Sequence, residues 1–279
     1  MSLEALRGTP VPLDPRIHEA RPHRGQIEAA DLMRRLLADS EIRESHREGD
    51  PRVQDAYSLR CAPQVLGAVA DAIRFAAETV EVELNASTDN PLVFPDGEVI
   101  SGGNFHGQPI ALALDVIAIV LTTLAGIAER RLERVVNPDL SSGLPAFLAR
   151  DPGLESGFMT PQIAAAALVA DCRVLATPAS VQSIPTEGNQ EDVVPMGMTA
   201  AWKAGRILAN AERIVAIELL AGAQGLEFLL PLTPARGVAR LHAAVRREAA
   251  ALTTDRPLTA DIERIAKGLR EGKFEPEAA

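Results

Sequence analysis

The sequence predicts an all-α protein built as a bundle of long helices. Three observations carry that prediction. Aromatic residues are only 3% of the 279 residues, while alanine and leucine are abundant. Alanine and leucine favour helices, whereas strands favour aromatic and β-branched side chains. Two or three apolar stretches are much longer than any strand, and loops rich in turn formers separate them.

The elements follow in order. Residues 8–25 (GTPVPLDPRIHEARPHRG) hold four prolines and two glycines and read as an irregular, extended segment. Residues 26–39 form an amphipathic helix with Ile27, Ala30, Leu32, Leu36 and Leu37 apolar. Residues 40–52 are polar and read as a loop. After Pro63, VLGAVADAIRFAAETVEVEL reads as a second helix. Turn formers fill residues 85–107, with VFPDGEVI as a small hairpin turning at Asp96-Gly97. A long helix spans about 105–134. Another begins near Thr160, with Pro161 in its first turn, and stops near Pro178. The longest runs from about 192 to 229 and closes at Pro231; shorter helices cover about 235–253 and 259–271. Residues 1–52 form an irregular segment plus the first helix, and residues 53–279 a central bundle with a C-terminal helical region. The long helices carry few polar positions for their length, so several faces must be buried, which points to helices shared between subunits.

Composition excludes several classes. The net charge is −10 and no basic patch stands out, so the chain is not read as a nucleic-acid binder. Cys61 and Cys172 form no CxxC or Cys/His spacing and read as buried, reduced thiols of a cytoplasmic protein. The opening MSLEALRGTP has no long apolar run and does not read as a signal peptide. PIALALDVIAIVLTTLAGIA, residues 109–128, has the length of a membrane span, but Asp115 lies inside it and ERRLER follows. It reads as a helix buried in a bundle or an oligomer, with no membrane partner. His18, His23, His46, His106 and His242 form no HExxH or paired spacing, so no metal site is expected.

Three short stretches hold candidate chemistry. QDAYSLR, residues 54–60, contains the single tyrosine of the chain. On a helix, Tyr57 and Arg60 lie one turn apart, and Gln54 joins that side. Arginine can hold a carboxylate with two parallel bonds, and a cation beside a phenol favours the phenolate. An anchor for an acid beside a proton acceptor is one reading; a surface pair with a packing tyrosine is the other. GGNFHG, residues 102–107, has the glycines of a phosphate loop without the following lysine, and reads as a turn entering a helix. TEGNQED, residues 186–192, gathers Asn189, Gln190, Glu191 and Asp192 just before the longest helix, where acidic groups suit an N-terminus.

Taken together and in order, QDAYSLRCAPQVLGA (54–68), NPLVFPDGEVISGGNFHGQPIALALD (90–115) and SIPTEGNQEDVVPMG (183–197) resemble the aromatic amino acid ammonia-lyases, the histidine ammonia-lyases in particular. SLEALRGT and SSGLPAFLA (141–149) resemble them too, so nearly the whole chain is covered. The resemblance implies the all-α superhelical bundle shared with fumarases and aspartases. It implies elimination of ammonia from an α-amino acid, driven by methylidene-imidazolone, an electrophile made by cyclising an Ala-Ser-Gly triplet. It implies roles residue by residue. Tyr57 takes the β-proton, Arg60 grips the substrate carboxylate, and Gln54 stands beside them. Phe105 packs near the electrophile and the substrate. Glu191 faces the substrate side chain, and Asn85 and Gln190 act as polar supports. A carboxylate at Glu191 suits an imidazole N–H and would be an unpaired charge beside a phenyl ring. Histidine, giving urocanate, is therefore the expected substrate, with a phenylalanine or tyrosine lyase or aminomutase as the alternative. The family is tetrameric, and each active site draws on three subunits.

Two features depart from the family. No Ala-Ser-Gly occurs; ISG, SSG and ESG are the nearest. The resemblance places that triplet upstream of QDAYSLR, so the chain is expected to be the C-terminal portion of a lyase, whether a fragment, a truncated gene product or one subunit of a split enzyme. It would need an N-terminal half, in a homotetramer or a hetero-assembly, and alone would be inactive. A non-catalytic assembly protein or relic on the same scaffold is the rival. Val193 and Pro195 also stand where many histidine lyases carry histidine and serine.

Overall fold

Eleven α-helices follow one another in the computed structural model, which describes residues 1–275. They are α1 (Ser2–Ala5), α2 (Pro15–Glu19), α3 (Arg24–Leu36), α4 (Glu41–Glu44), α5 (Tyr57–Arg60), α6 (Ala62–Leu84), α7 (Gln108–Val136), α8 (Met159–Leu175), α9 (Gly197–Glu227), α10 (Arg236–Glu248) and α11 (Thr259–Arg270). Between α6 and α7 lies a hairpin of β1 (Leu92–Val93) and β2 (Val99–Ile100), with Leu92 opposite Ile100 and Val93 opposite Val99. Gly97 takes the left-handed backbone its turn requires, at φ 86°.

The two longest helices, α7 and α9, form the centre. α6 and α8 pack on α7, α3 packs on α6, and α1, α10 and α11 pack on α9. The main core joins Ala125, Ala128, Leu132 and Val135 of α7 to Ile214, Ile217 and Leu220 of α9. Each fully buried leucine or isoleucine there contributes about 1.5–3 kcal/mol. A smaller core of Ala118, Leu121, Cys172, Ala204 and Ile207 sits further along the same helices. α3 and α6 approach closely because Gly25 and Gly67 face each other. A methyl on Gly67 would overlap the backbone of Gly25 and Gln26. Arg131 of α7 and Glu218 of α9 form a two-bond pair at 2.5 and 2.8 Å, and Ser2 Oγ donates to the same carboxylate at 2.7 Å. Burial works to lower the Arg131 pKa, but Glu218 outweighs it, and the net direction is upward.

Several local expectations change. The proline-rich 8–25 stretch is not wholly irregular: Val11–Leu13 is a 3-10 turn and α2 follows, capped by Asp14 accepting from Arg16 N. Pro15 at the start of α2 sets the first-turn φ instead of blocking a helix. The 40–52 loop contains α4, capped by Ser40. The helix expected from 192 begins at Gly197, because Pro195 has no N–H to give and Met196 is left-handed at φ 57°. α10 ends at Glu248, before the expected 253, where Ala249 becomes extended. Cys172 is buried, and burial raises its thiol pKa; Cys61 is only partly buried, contrary to expectation.

The apolar stretch at 109–128 lies within α7. Its Asp115 is buried, accepts from Ser180 N at 2.7 Å and lies 3.3 Å from Lys203 Nζ. Burial pushes the Asp115 pKa upward, yet these bonds outweigh it and leave a net lowering. Only 33% of the most apolar window is buried within this chain. Apolar side chains such as Leu112 and Ile119 remain exposed, as do Trp202 and Leu208 of α9. They leave the apolar faces of the central pair incompletely covered by this chain.

Candidate active site

α5 is a single turn with no side-chain cap. One turn is not stable by itself, so its neighbours must hold it. Leu59 points inward and joins the main core. Tyr57 points outward and is 71% exposed. The Arg60 guanidinium carbon stands 4.5 Å from the centre of the Tyr57 ring, within cation–π range. Arg60 Nε is buried and has no hydrogen-bond partner among the described residues; neither has Gln64 Oε1, one helical turn on. Arg60 and Gln64 line an open cleft of about 890 Å³ with Thr9, His46, Arg52 and Gln54. Gln54 does not share the helix: it lies in the bend before Tyr57, so the expected one-turn alignment of all three side chains is not formed. The chain bends there, and Asp55, not Gln54, is buried.

The other predicted residues gather elsewhere. Asn85 ends α6 and donates to Glu81 O at 2.8 Å. Asn104 Nδ2 donates to Ser87 O at 2.9 Å, which draws the Phe105 loop to the end of α6. His106 Nε2 lies 3.0 Å from Val193 O, which ties that loop to the segment after Glu191. Glu191 closes a short loop: Thr186 N donates to Glu191 O at 2.9 Å, and Thr186 Oγ1 donates to Glu191 Oε2. Gln190 is exposed at the end of the 3-10 turn Glu187–Asn189 inside that loop. Glu191 and Asp192 do not cap α9, since the helix starts beyond them. Phe105 is 56% exposed.

Two clusters result, at opposite ends of α6. One holds Tyr57, Arg60 and Gln54; the other holds Asn85, Phe105, Gln190 and Glu191. α6 has 23 residues, and at about 1.5 Å per residue it spans about 35 Å. One amino acid cannot touch both clusters of a single chain. The electrophile has no precursor here either. Ser142 of SSG accepts from Arg52, Ser156 of ESG is bound through its N–H to Asp255, and Ser101 of ISG donates to Asn90. Among the described residues, no three His, Cys, Asp or Glu side chains group as metal ligands.

Residues 1–247 match the model of the family described as aromatic amino acid lyase. The chain belongs to the aromatic amino acid lyase family. It is 54% identical to a histidine ammonia-lyase of Koribacter versatilis over 98% of its own length and 55% of that protein. It is 53% identical to one from Anaeromyxobacter dehalogenans, over 99% of its length and 54% of that protein. The crystal structure of histidine ammonia-lyase from Trypanosoma cruzi superposes with a TM-score of 0.90 at 46% identity, covering 98% of this chain and 52% of that one. A tyrosine aminomutase from Streptomyces globisporus superposes equally well, at 0.90 and 42% identity, covering 98% and 56%. The chain thus spans about half the length of the curated relatives it matches. Its helical fold is that of the family.

Local sequence does not identify what holds the Tyr57 turn in place. Arg52 and Asp55 bond to partners tens of residues away. The only local sign is Asp55, the one acidic residue of the motif, buried between the exposed Gln54 and Tyr57.

Proposed function

We propose that this chain is the part of a histidine ammonia-lyase that anchors the substrate and removes its β-proton, working in an assembly that brings the electrophile from another segment. The observation that carries the reading is Arg60 stacked on the outward-facing Tyr57, with no ion-pair partner among the described residues. Its planar fork would hold the substrate carboxylate with two charge-assisted bonds. That fixes the β-carbon near the phenol oxygen, where Tyr57 acts as general base. Glu191 would accept the imidazole N–H. Its Oε2 is already bonded to Thr186, which keeps the carboxylate in one orientation while Oε1 accepts no bond among the described residues. Methylidene-imidazolone, when supplied, makes the amino group able to leave. Because the two clusters lie about 35 Å apart within one chain, each complete site would combine Tyr57 and Arg60 of one copy with Phe105 and Glu191 of another.

The test follows urocanate absorbance with the purified chain alone and with an N-terminal lyase half containing Ala-Ser-Gly. Activity is expected only in the mixture; turnover by the chain alone would overturn this division of labour. A second reading has an observation behind it. Val193 and Pro195 differ from many histidine lyases, and the tyrosine aminomutase superposes as well as the histidine enzyme. A substrate panel on the reconstituted assembly decides between them, with preference for tyrosine or phenylalanine favouring the second.

A further inference from the structure

The segment leading into Tyr57 is fixed by one guanidinium. Arg52 uses every donor it has. Nε and Nη2 bond Asp50 at 3.0 and 2.7 Å, Nη1 bonds Leu6 O and Ser142 Oγ at 3.1 Å each, and Nη2 also bonds Arg7 O. Arg7 and Ser142 are both left-handed, at φ 49° and 60°. Non-glycine residues hold that conformation only where their surroundings enforce it, so Arg52 joins two constrained turns from distant parts of the chain. Arg52 Nη1 also lies 3.4 Å from Asp55 Oδ1. The other oxygen of Asp55 accepts from Thr9 N at 2.6 Å, and the side chain is buried. Asp55 is two residues from Tyr57, and nothing between them is capped by a side chain.

We propose that Arg52, acting through Asp55, is the positioning device for Tyr57: it sets where the α5 turn begins and so where the phenol points. Neither residue touches the phenol; both act on the backbone that carries it. An inward Leu59 alone would leave the turn free to rotate about one anchor. The Asp55 carboxylate, hydrogen-bonded by Thr9 N and ion-paired with Arg52, supplies the second. Lysine cannot replace Arg52 fully, since an ammonium has three donors on a flexible stem and no planar fork.

The inference rests on reading Tyr57 as the base, but its test does not need turnover. Tyr57 is the only tyrosine in the chain, so biosynthetic fluorotyrosine gives one fluorine resonance that reports this side chain alone. In the intact chain that resonance is expected to be displaced from its position in denaturant, because the ring lies against the Arg60 guanidinium. Arg52→Met and Asp55→Asn should move it toward the denatured position, and Arg52→Lys should move it part of the way. Arg213→Met, which breaks a surface pair with Glu263 elsewhere, should leave it in place. Far-ultraviolet circular dichroism on the same samples establishes that each variant is folded. If Arg52→Met does not fold, the milder Arg52→Lys and Asp55→Asn carry the test. An unmoved resonance in a folded Arg52 or Asp55 variant overturns the proposal, as does an equal movement in Arg213→Met. Displacement of the resonance in a chain that never supports turnover would leave the positioning role standing and remove the proposed function.

Discussion

Co-expression of two inactive chains tests the distance between the two clusters. One chain carries Tyr57→Phe, the other Glu191→Ala, and both are assembled with the N-terminal half. α6 separates the clusters by 23 residues, or about 35 Å. A general base must come within about 3 Å of its proton, so Tyr57 and Glu191 of the same copy cannot serve one substrate. If copies mix at random, half of the Tyr57 positions and half of the Glu191 positions are intact, and the two are drawn independently. About one quarter of the sites then hold both native groups in a symmetric oligomer. The assay is the initial rate of urocanate formation, with subunit ratios checked by mass spectrometry. The expected rate is about one quarter of that of the native assembly under the same independence of copies. No recovery above the two parents would refute the argument, because it would mean that one chain supplies both groups.

Four further outcomes follow from the geometry. Glu191→Gln should lower histidine kcat/KM by roughly ten- to a hundredfold, the loss of a charged hydrogen bond of about 1.5–3 kcal/mol, while Tyr57 fluorine spectra stay unchanged. Leu132→Ala removes a fully buried side chain between α7 and α9. It should cost about 2–5 kcal/mol in denaturant unfolding, read as a lower midpoint at constant slope. Gly67→Ala should force α3 off α6, since the added methyl meets backbone instead of a side chain that can move; a loss of about 1–3 kcal/mol or more is expected by the same measurement. Hydrogen bonds from the Arg52 side chain, then its backbone N–H, lower the Asp50 pKa to about 2. A carboxylate depressed in the folded state stabilises it above the ordinary carboxylate range and loses that contribution as pH falls through the folded value. Asp50→Asn should therefore be less stable than the parent at neutral pH, and the difference should close as the pH falls from about 4 toward the depressed value. A difference that persists unchanged into that acid range would contradict this assignment.

Much of the molecule was legible along the chain because the information is local. Periodic apolar residues make α6, α7, α8 and α9, and prolines near their ends mark where they start and stop. Asp96-Gly97 makes the hairpin turn by itself. Boundaries were missed where a single backbone conformation decided them, as at Met196, whose left-handed φ no composition announces. The stretch around Pro15, whose prolines and glycines point to irregular structure, holds a short helix because the proline sits where its missing N–H costs nothing.

The site divides along the same line. Tyr57 beside Arg60 is a matter of spacing on one turn, and spacing is written in the sequence. Gln54 fell outside that turn because the chain bends at Val53 and Gln54, which spacing cannot report. Only the tertiary structure places Asn85, Phe105 and Glu191 together, through hydrogen bonds from Asn104 to Ser87 and from His106 to Val193. Only it separates them from Tyr57 by the length of α6. The physical reason is that side-chain type and periodicity act over a few residues, whereas the distance between two clusters depends on a rigid helix and on what packs at each of its ends.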